Sequence, residues 1–161
     1  MKLLILNGPN LNLLGSREPD IYGRESYDVL CRQIYRHAET IGCTVEVFQS
    51  NHEGTLIDAI QAAQAGYSGI VINPGAYAHY SYAIYDALRA ADVPAVEVHI
   101  SDITAREPFR AVSVTAAACV KTICGHGLAG YLEAMDYLMA TASDRSDSAA
   151  PHAGCGGAAC V

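Results

Sequence analysis

The chain has 161 residues, 51% of them apolar, and carries a formal net charge of −7 with a pI near 5.2. That length suits one domain with a core of its own. An acidic chain without a basic stripe is not built for nucleic acid, and arginines at a site would instead meet a small acidic substrate.

Short apolar runs alternate with helix-period segments along the chain. Residues 3–7, "LLILN", read as a first strand. Residues 26–42 follow as a helix, with Ser26 as N-cap, Gly42 as the stop, and Leu30, Ile34, His37/Ala38 and Ile41 in one stripe. "TVEVFQS" (44–50) is a second strand, "GTLIDAIQAAQAG" a helix ending near Gly66, and "GIVIN" (69–73) a third strand. The segment "YSYAIYDALRAAD" is a helix whose Ala83, Ile84, Ala87, Leu88 and Ala91 face inward. "AVEVHI" (95–100) is a fourth strand and "CVKTIC" (119–124) a fifth. The last helix, "LAGYLEAMDYLMA", places Leu128, Tyr131, Leu132, Met135, Leu138 and Met139 on one side. Five strands alternating with helices predict a parallel α/β sheet with helices on both faces, in the flavodoxin-like order 2-1-3-4-5. From residue 143 the composition turns to Ser, Asp, Ala and Gly, so a flexible tail (143–161) is expected after a catalytic domain (1–142).

The opening "MKLLILNGPN" has one lysine and then four apolar residues. A signal peptide needs ~7–15 apolar residues and a membrane span ~20. A soluble cytoplasmic protein without membrane contact is therefore expected. Cysteines stand at 31, 43, 119, 124, 155 and 160, with no CxxC or zinc-type spacing. They read as reduced thiols, four of them inside apolar segments.

In open α/β sheets ligands bind beyond the carboxyl ends of the strands. Here those ends read "NGPNLNLLGSREPDIYG", "FQSNHEG", "NPGAYAHYS" and "VHISD". The fourth strand is unusual. Its Val96, Val98 and Ile100 share one face, while Glu97, His99 and Ser101 share the other. A buried parallel strand is normally apolar on both faces, so this polar row reads as the floor of a site. A satisfied core His–Glu pair is the plainer alternative.

These segments, with "REPFR" and "GHGLAGY", resemble the type II 3-dehydroquinate dehydratases, and the resemblance runs from about Leu3 to Leu138. It implies the flavodoxin-like fold, a dodecamer built from trimers, and reversible dehydration of 3-dehydroquinate to 3-dehydroshikimate through an enolate. It implies no metal and no organic cofactor. Aromatic biosynthesis through the shikimate pathway and quinate breakdown both remain open. In the family pattern Tyr22 matches the base. A free tyrosine titrates near 10, so a phenolate near pH 7 costs ~4 kcal/mol, and Arg17 and Arg106 match the arginines that polarise it. His99 matches the general acid, with Glu97 placed to orient its ring. Asn10 matches the residue that holds a water against the enolate. Asn73, His79 and Arg110 match substrate-hydroxyl contacts, and Ser101 with the Ile100 backbone matches the carboxylate site. Asp86 matches a residue that reaches the neighbouring subunit's site, on a helix rich in interface-type tyrosines. Ala78, Tyr85, Asp102 and Ala111 depart from the pattern, at positions without a proposed catalytic role.

Two rival readings attach to other motifs. "GHGLAG" (125–130) fits GxGxxG, but only one helix follows it, without the further strand and acidic residue of a dinucleotide fold. Its glycines then serve a tight turn and close helix–sheet packing. His79, Asp86 and His99 could ligate a metal, but no HxH or HExxH spacing supports that.

Overall fold

The computed structural model describes residues 1–16 and 25–148, with 143–148 as backbone only. Its five strands are β1 (Lys2–Asn7), β2 (Thr44–Gln49), β3 (Gly69–Asn73), β4 (Ala95–His99) and β5 (Lys121–Cys124). They form one parallel sheet in the order β2-β1-β3-β4-β5, as the sequence pattern predicts.

Helices α1 (Tyr27–Ile41) and α4 (Ala129–Ser148) cover one face. There Leu30, Ile34 and Ala38 of α1 and Tyr131, Met135 and Leu138 of α4 pack on Leu3, Ile5, Val71, Val96 and Val98. Helices α2 (Glu53–Ala62) and α3 (Tyr82–Ala90) cover the other. Leu56, Ile60, Ile84, Ala87 and Leu88 meet Leu4, Leu6, Ile70 and Ile72 there. The period-2 alternation of the central strands thus feeds two separate apolar cores. Ser26 caps α1 by accepting the Val29 N–H, and Gly42 ends it in the left-handed region (φ 70°).

Several boundaries differ from expectation. β5 begins at Lys121, because Cys119 closes the 3-10 turn Thr115–Ala118. β2 ends at Gln49 and β4 at His99, each one residue short of the run read from the sequence. α3 starts at Tyr82 because the Ser81 hydroxyl accepts the Ile84 N–H. That start sets Ile84, Ala87, Leu88 and Ala91 inward and leaves Ala83 exposed rather than buried. α4 runs past residue 142 to Ser148. The stretch "TASDRSDS" holds neither glycine nor proline, the residues that would stop a helix; the next proline is Pro151.

The "GHGLAG" segment forms the turn from β5 into α4. Gly125 (φ 82°) and Gly127 (φ 59°) adopt left-handed backbone, and their N–H groups donate to the His99 and Ile100 carbonyls. A Cβ on Gly130 would sit 3.3 Å from both Ile123 and Val98. The glycines therefore bring α4 close to the sheet and fasten the end of β4. Among the described residues no helix is long and apolar enough to cross a membrane.

Candidate functional site

A cleft of about 650 Å³, measured out to its open mouth, lies at the carboxyl edge of the sheet. Its polar lining comes from Asn10, Asn73, His79, His99, Ser101, Arg106 and Arg110. Leu11, Leu14, Ile100 and Ile103 supply apolar wall. All seven of these polar residues are among those the sequence singles out, and four segments bring them together.

The floor is β4. His99 Nε2 lies 2.6 Å from Glu97 Oε1, with the carboxylate side chain fully buried and the imidazole nearly so. The Ser113 hydroxyl donates to the same Oε1 at 2.6 Å, and Thr115 donates to Oε2. A buried carboxylate is tolerable only when its lone pairs are served, and this one has three partners. The His79 ring stacks over His99 with centroids 6.4 Å apart, and its Nδ1 is 2.9 Å from the Val112 carbonyl oxygen.

The β1 and β3 ends meet above this floor. Gly8 lets them close: its N–H donates to the Asn73 carbonyl at 2.8 Å, and a Cβ there would stand 2.3 Å from the Pro74 oxygen. Asn10 then turns into left-handed backbone (φ 66°), a conformation asparagine tolerates better than most residues. Its N–H donates to Asn51 Oδ1 at 2.9 Å. The Asn73 amide is half occupied already. Nδ2 donates to the Tyr131 hydroxyl at 2.9 Å, and Oδ1 accepts the Gly75 N–H at 3.1 Å. One N–H and one lone pair remain for a ligand.

The third wall is the chain that leaves β4. Arg106 and Arg110 both face Glu107, with Nε–Oε2 distances of 3.5 and 2.9 Å. Their side chains are mostly buried, whereas Glu107 is half exposed. The Glu107 carboxyl is held below its usual range, first by a backbone hydrogen bond and then by the charges of Arg110 and Arg106. Asp102 caps the next turn by accepting the Thr104 N–H and hydroxyl, which lowers its pKa.

The structure does not bring every predicted residue to the cleft. Asp86 lies on the exposed side of α3 and does not line it. Arg17 and Tyr22 fall outside the described residues. Sequence reading missed Ser113, Thr115 and Glu107, and it read Tyr131 as apolar core. Tyr131 is indeed fully buried, but its hydroxyl donates to Asn7 Oδ1 at 2.7 Å while accepting from Asn73. The signal for Tyr131 was available: a buried tyrosine usually finds a partner for its hydroxyl. Among the described residues, no three His, Cys, Asp or Glu side chains converge in a way that could hold a metal ion.

Chemically, a carboxylate-anchored imidazole can give or take a proton, and two guanidinium groups beside it can hold an anion. The sheet order and this cleft define a flavodoxin-like α/β protein with a polar cleft at the strand ends. The family described as dehydroquinase class II matches residues 1–139, and the chain belongs to it. The 3-dehydroquinate dehydratase of Clostridium acetobutylicum is 55% identical over 132 residues, 82% of this chain and 92% of that protein. The enzyme of the same name from Thermotoga neapolitana is 53% identical, with 91% and 99% covered. The crystal structure of type II dehydroquinase from Butyrivibrio crossotus aligns with a TM-score of 0.85 at 53% identity, covering 86% of this chain and 97% of that one. That of Propionibacterium acnes gives 0.84 at 44% identity, with 86% and 96% covered.

Proposed function

We propose that the protein is a hydro-lyase that dehydrates 3-dehydroquinate to 3-dehydroshikimate, a step of the shikimate pathway, by way of an enolate. The observation that carries this reading is the buried Glu97–His99 pair opening onto a cleft with two arginines, in a chain of the class II dehydroquinase family. Loss of water beside a ketone needs a base for the α-proton, a stabiliser for the enolate and an acid for the departing hydroxyl. Tyr22 is the base, with Arg17 and Arg106 holding its phenolate. His99 is the acid, anchored by Glu97. Asn10 positions a water on the enolate oxygen. Asn73, His79 and Arg110 hold the substrate hydroxyls, and Ser101 with the Ile100 backbone holds the carboxylate. None of these roles requires a metal or an organic cofactor.

The working particle in this reading is a dodecamer built from trimers in the cytoplasm, and Asp86 completes a neighbour's cleft. Its exposed place on α3 beside the exposed Tyr80 and Tyr82 supports that arrangement. The direct test adds 3-dehydroquinate to the purified chain and follows the absorbance of the conjugated enone. A steady rise that survives dialysis against EDTA is expected. No rise at micromolar enzyme would sink the reading. Dilution far enough to dissociate trimers should abolish turnover, and a fully active monomer would remove Asp86 from the mechanism.

A further inference from the structure

Glu97 is held by more than its histidine. The chain leaves β4 at His99, carries Arg106 and Arg110 around the cleft, and returns at Ser113 and Thr115 to the carboxylate it left behind. Glu97 and Thr115 are fully buried, and His99 is 4% exposed, so solvent does not compete for these bonds.

The protons can be assigned by counting. Each hydroxyl has one to give. Ser113 Oγ accepts from the Ala116 N–H at 3.2 Å, and its shortest acceptor contact is Glu97 Oε1 at 2.6 Å. Its weaker alternatives are Thr115 Oγ1 at 3.2 Å and the Ala78 carbonyl at 3.4 Å, which already receives the Val114 N–H at 2.8 Å. Thr115 directs its proton to Oε2. A carboxylate that accepts from two hydroxyls acts as acceptor toward the third neighbour too, so the 2.6 Å contact with His99 is an Nε2–H donor. The other nitrogen, Nδ1, is then the one left for the cleft that His99 lines; as the acid the ring carries a second proton there, gives it to the departing hydroxyl, and returns to the neutral Nε2–H form held by Glu97. The next titratable neighbour, Cys119, does not disturb this: burial first, and then the Glu97 charge, push its thiol up, so it stays an uncharged S–H.

We propose that Ser113 and Thr115 are positioning residues for the reaction, acting through Glu97 to fix which ring nitrogen of His99 faces the substrate. The inference rests on reading His99 as the acid. It separates from the neighbouring roles because the arginine-bearing segment has main-chain anchors of its own. The Val114 N–H binds the Ala78 carbonyl, and the Val112 carbonyl binds His79. Removing the two hydroxyls leaves those anchors in place. Turnover should fall while substrate affinity holds.

The test uses the full chain and the variants Thr115→Val, Thr115→Ser, Ser113→Ala and the Ser113→Ala/Thr115→Val pair. The nitrogen-15 shifts of the His99 ring are read by NMR, alongside kcat and KM for 3-dehydroquinate. Wild type and Thr115→Ser should show the Nε2–H form. Thr115→Val and the double variant should show an admixture of Nδ1–H. They should lose about tenfold or more in kcat, part of the ~10²–10⁴ that a general acid supplies, because a neutral ring protonated only at Nδ1 has given up its Nε2–H bond to Glu97 and could donate only by becoming an imidazolate, with KM within about twofold. If Thr115→Val does not fold, Ser113→Ala makes the same test at Oε1. Folded variants that keep both the tautomer and kcat overturn the role of the hydroxyls while an active wild type leaves the dehydratase reading intact. A wild type without dehydratase activity overturns that reading and this role with it.

Discussion

Replacing Tyr131 by phenylalanine tests the bridge beneath the cleft. The hydroxyl spans Asn7 on β1 and Asn73 on β3, which are register partners at the carboxyl edge. Asn7 is 0% exposed and Asn73 4%, so water cannot replace the lost oxygen without opening the sheet. Asn7 keeps one longer bond, from Nδ2 to the Tyr27 hydroxyl at 3.4 Å, and Asn73 keeps its bond from Gly75. The substitution therefore orphans Asn7 Oδ1 and Asn73 Nδ2. At about 1–3 kcal/mol for each buried polar atom left unpaired, the loss from the two is about 2–6 kcal/mol. For a chain of this size one kcal/mol moves Tm by about 2–4 °C, so a fall of about 4–24 °C is expected. Circular-dichroism melts at one fixed protein concentration measure it, because subunit association would otherwise enter the comparison. Alkaline pH adds a second readout. Burial pushes the Tyr131 hydroxyl far above the ordinary tyrosine range. The folded state thus holds this proton more tightly than the unfolded chain does. Its contribution is complete below about pH 10 and is lost as pH rises beyond that, at about 1.4 kcal/mol per pH unit. The phenylalanine variant lacks the group, so the gap between wild type and variant should narrow from pH 10 to 11. A Tm change under about 2 °C, or a gap that stays constant across that range, would refute the bridge as a structural element.

Gly8→Ala should destabilise by about 1–3 kcal/mol or more, because the new methyl meets Pro74 main-chain atoms at 2.3 and 2.6 Å that cannot step aside; an unchanged denaturant midpoint would contradict this. Tyr22→Phe and His99→Ala should each lower kcat by about 10²–10⁴ with a smaller change in KM, and a near-native kcat for Tyr22→Phe would send the search for the base elsewhere. Sodium borohydride added with substrate should not inactivate the protein. Its only lysines, Lys2 and Lys121, open β1 and β5 at the edge of the sheet opposite the cleft, and Schiff-base chemistry needs a lysine in the pocket. A substrate-dependent adduct on either would be fatal to the Tyr22 mechanism.

What the sequence disclosed follows the range of the forces involved. Local signals read well: Ser26 and Gly42 bound α1, and the alternation of β4 put Glu97 and His99 side by side. Strand order followed from a general rule of crossover connections and held in full. The misses depend on partners distant in the chain. Thr115 and Ser113 sit 18 and 16 residues from Glu97, inside a loop with no periodicity to mark them. Tyr131 showed its helical stripe but not its hydroxyl's destination, 124 residues away at Asn7. Ala83 failed for a smaller reason. A cap at Ser81 rotated α3 enough that a small residue fell outside the stripe.

The placement of the two lysines has a practical side. Lys2 bonds to Glu46 at 3.1 Å and lies over the Tyr67 ring, and Lys121 lies over the Tyr137 ring. Both amines stand along the rim where the strands begin. Ordinary amine-directed coupling therefore has a built-in orientation in this chain. A chain tethered to a bead or sensor surface through these groups presents its cleft to the solution, and dyes or cross-linkers aimed at amines attach at the far end from that cleft.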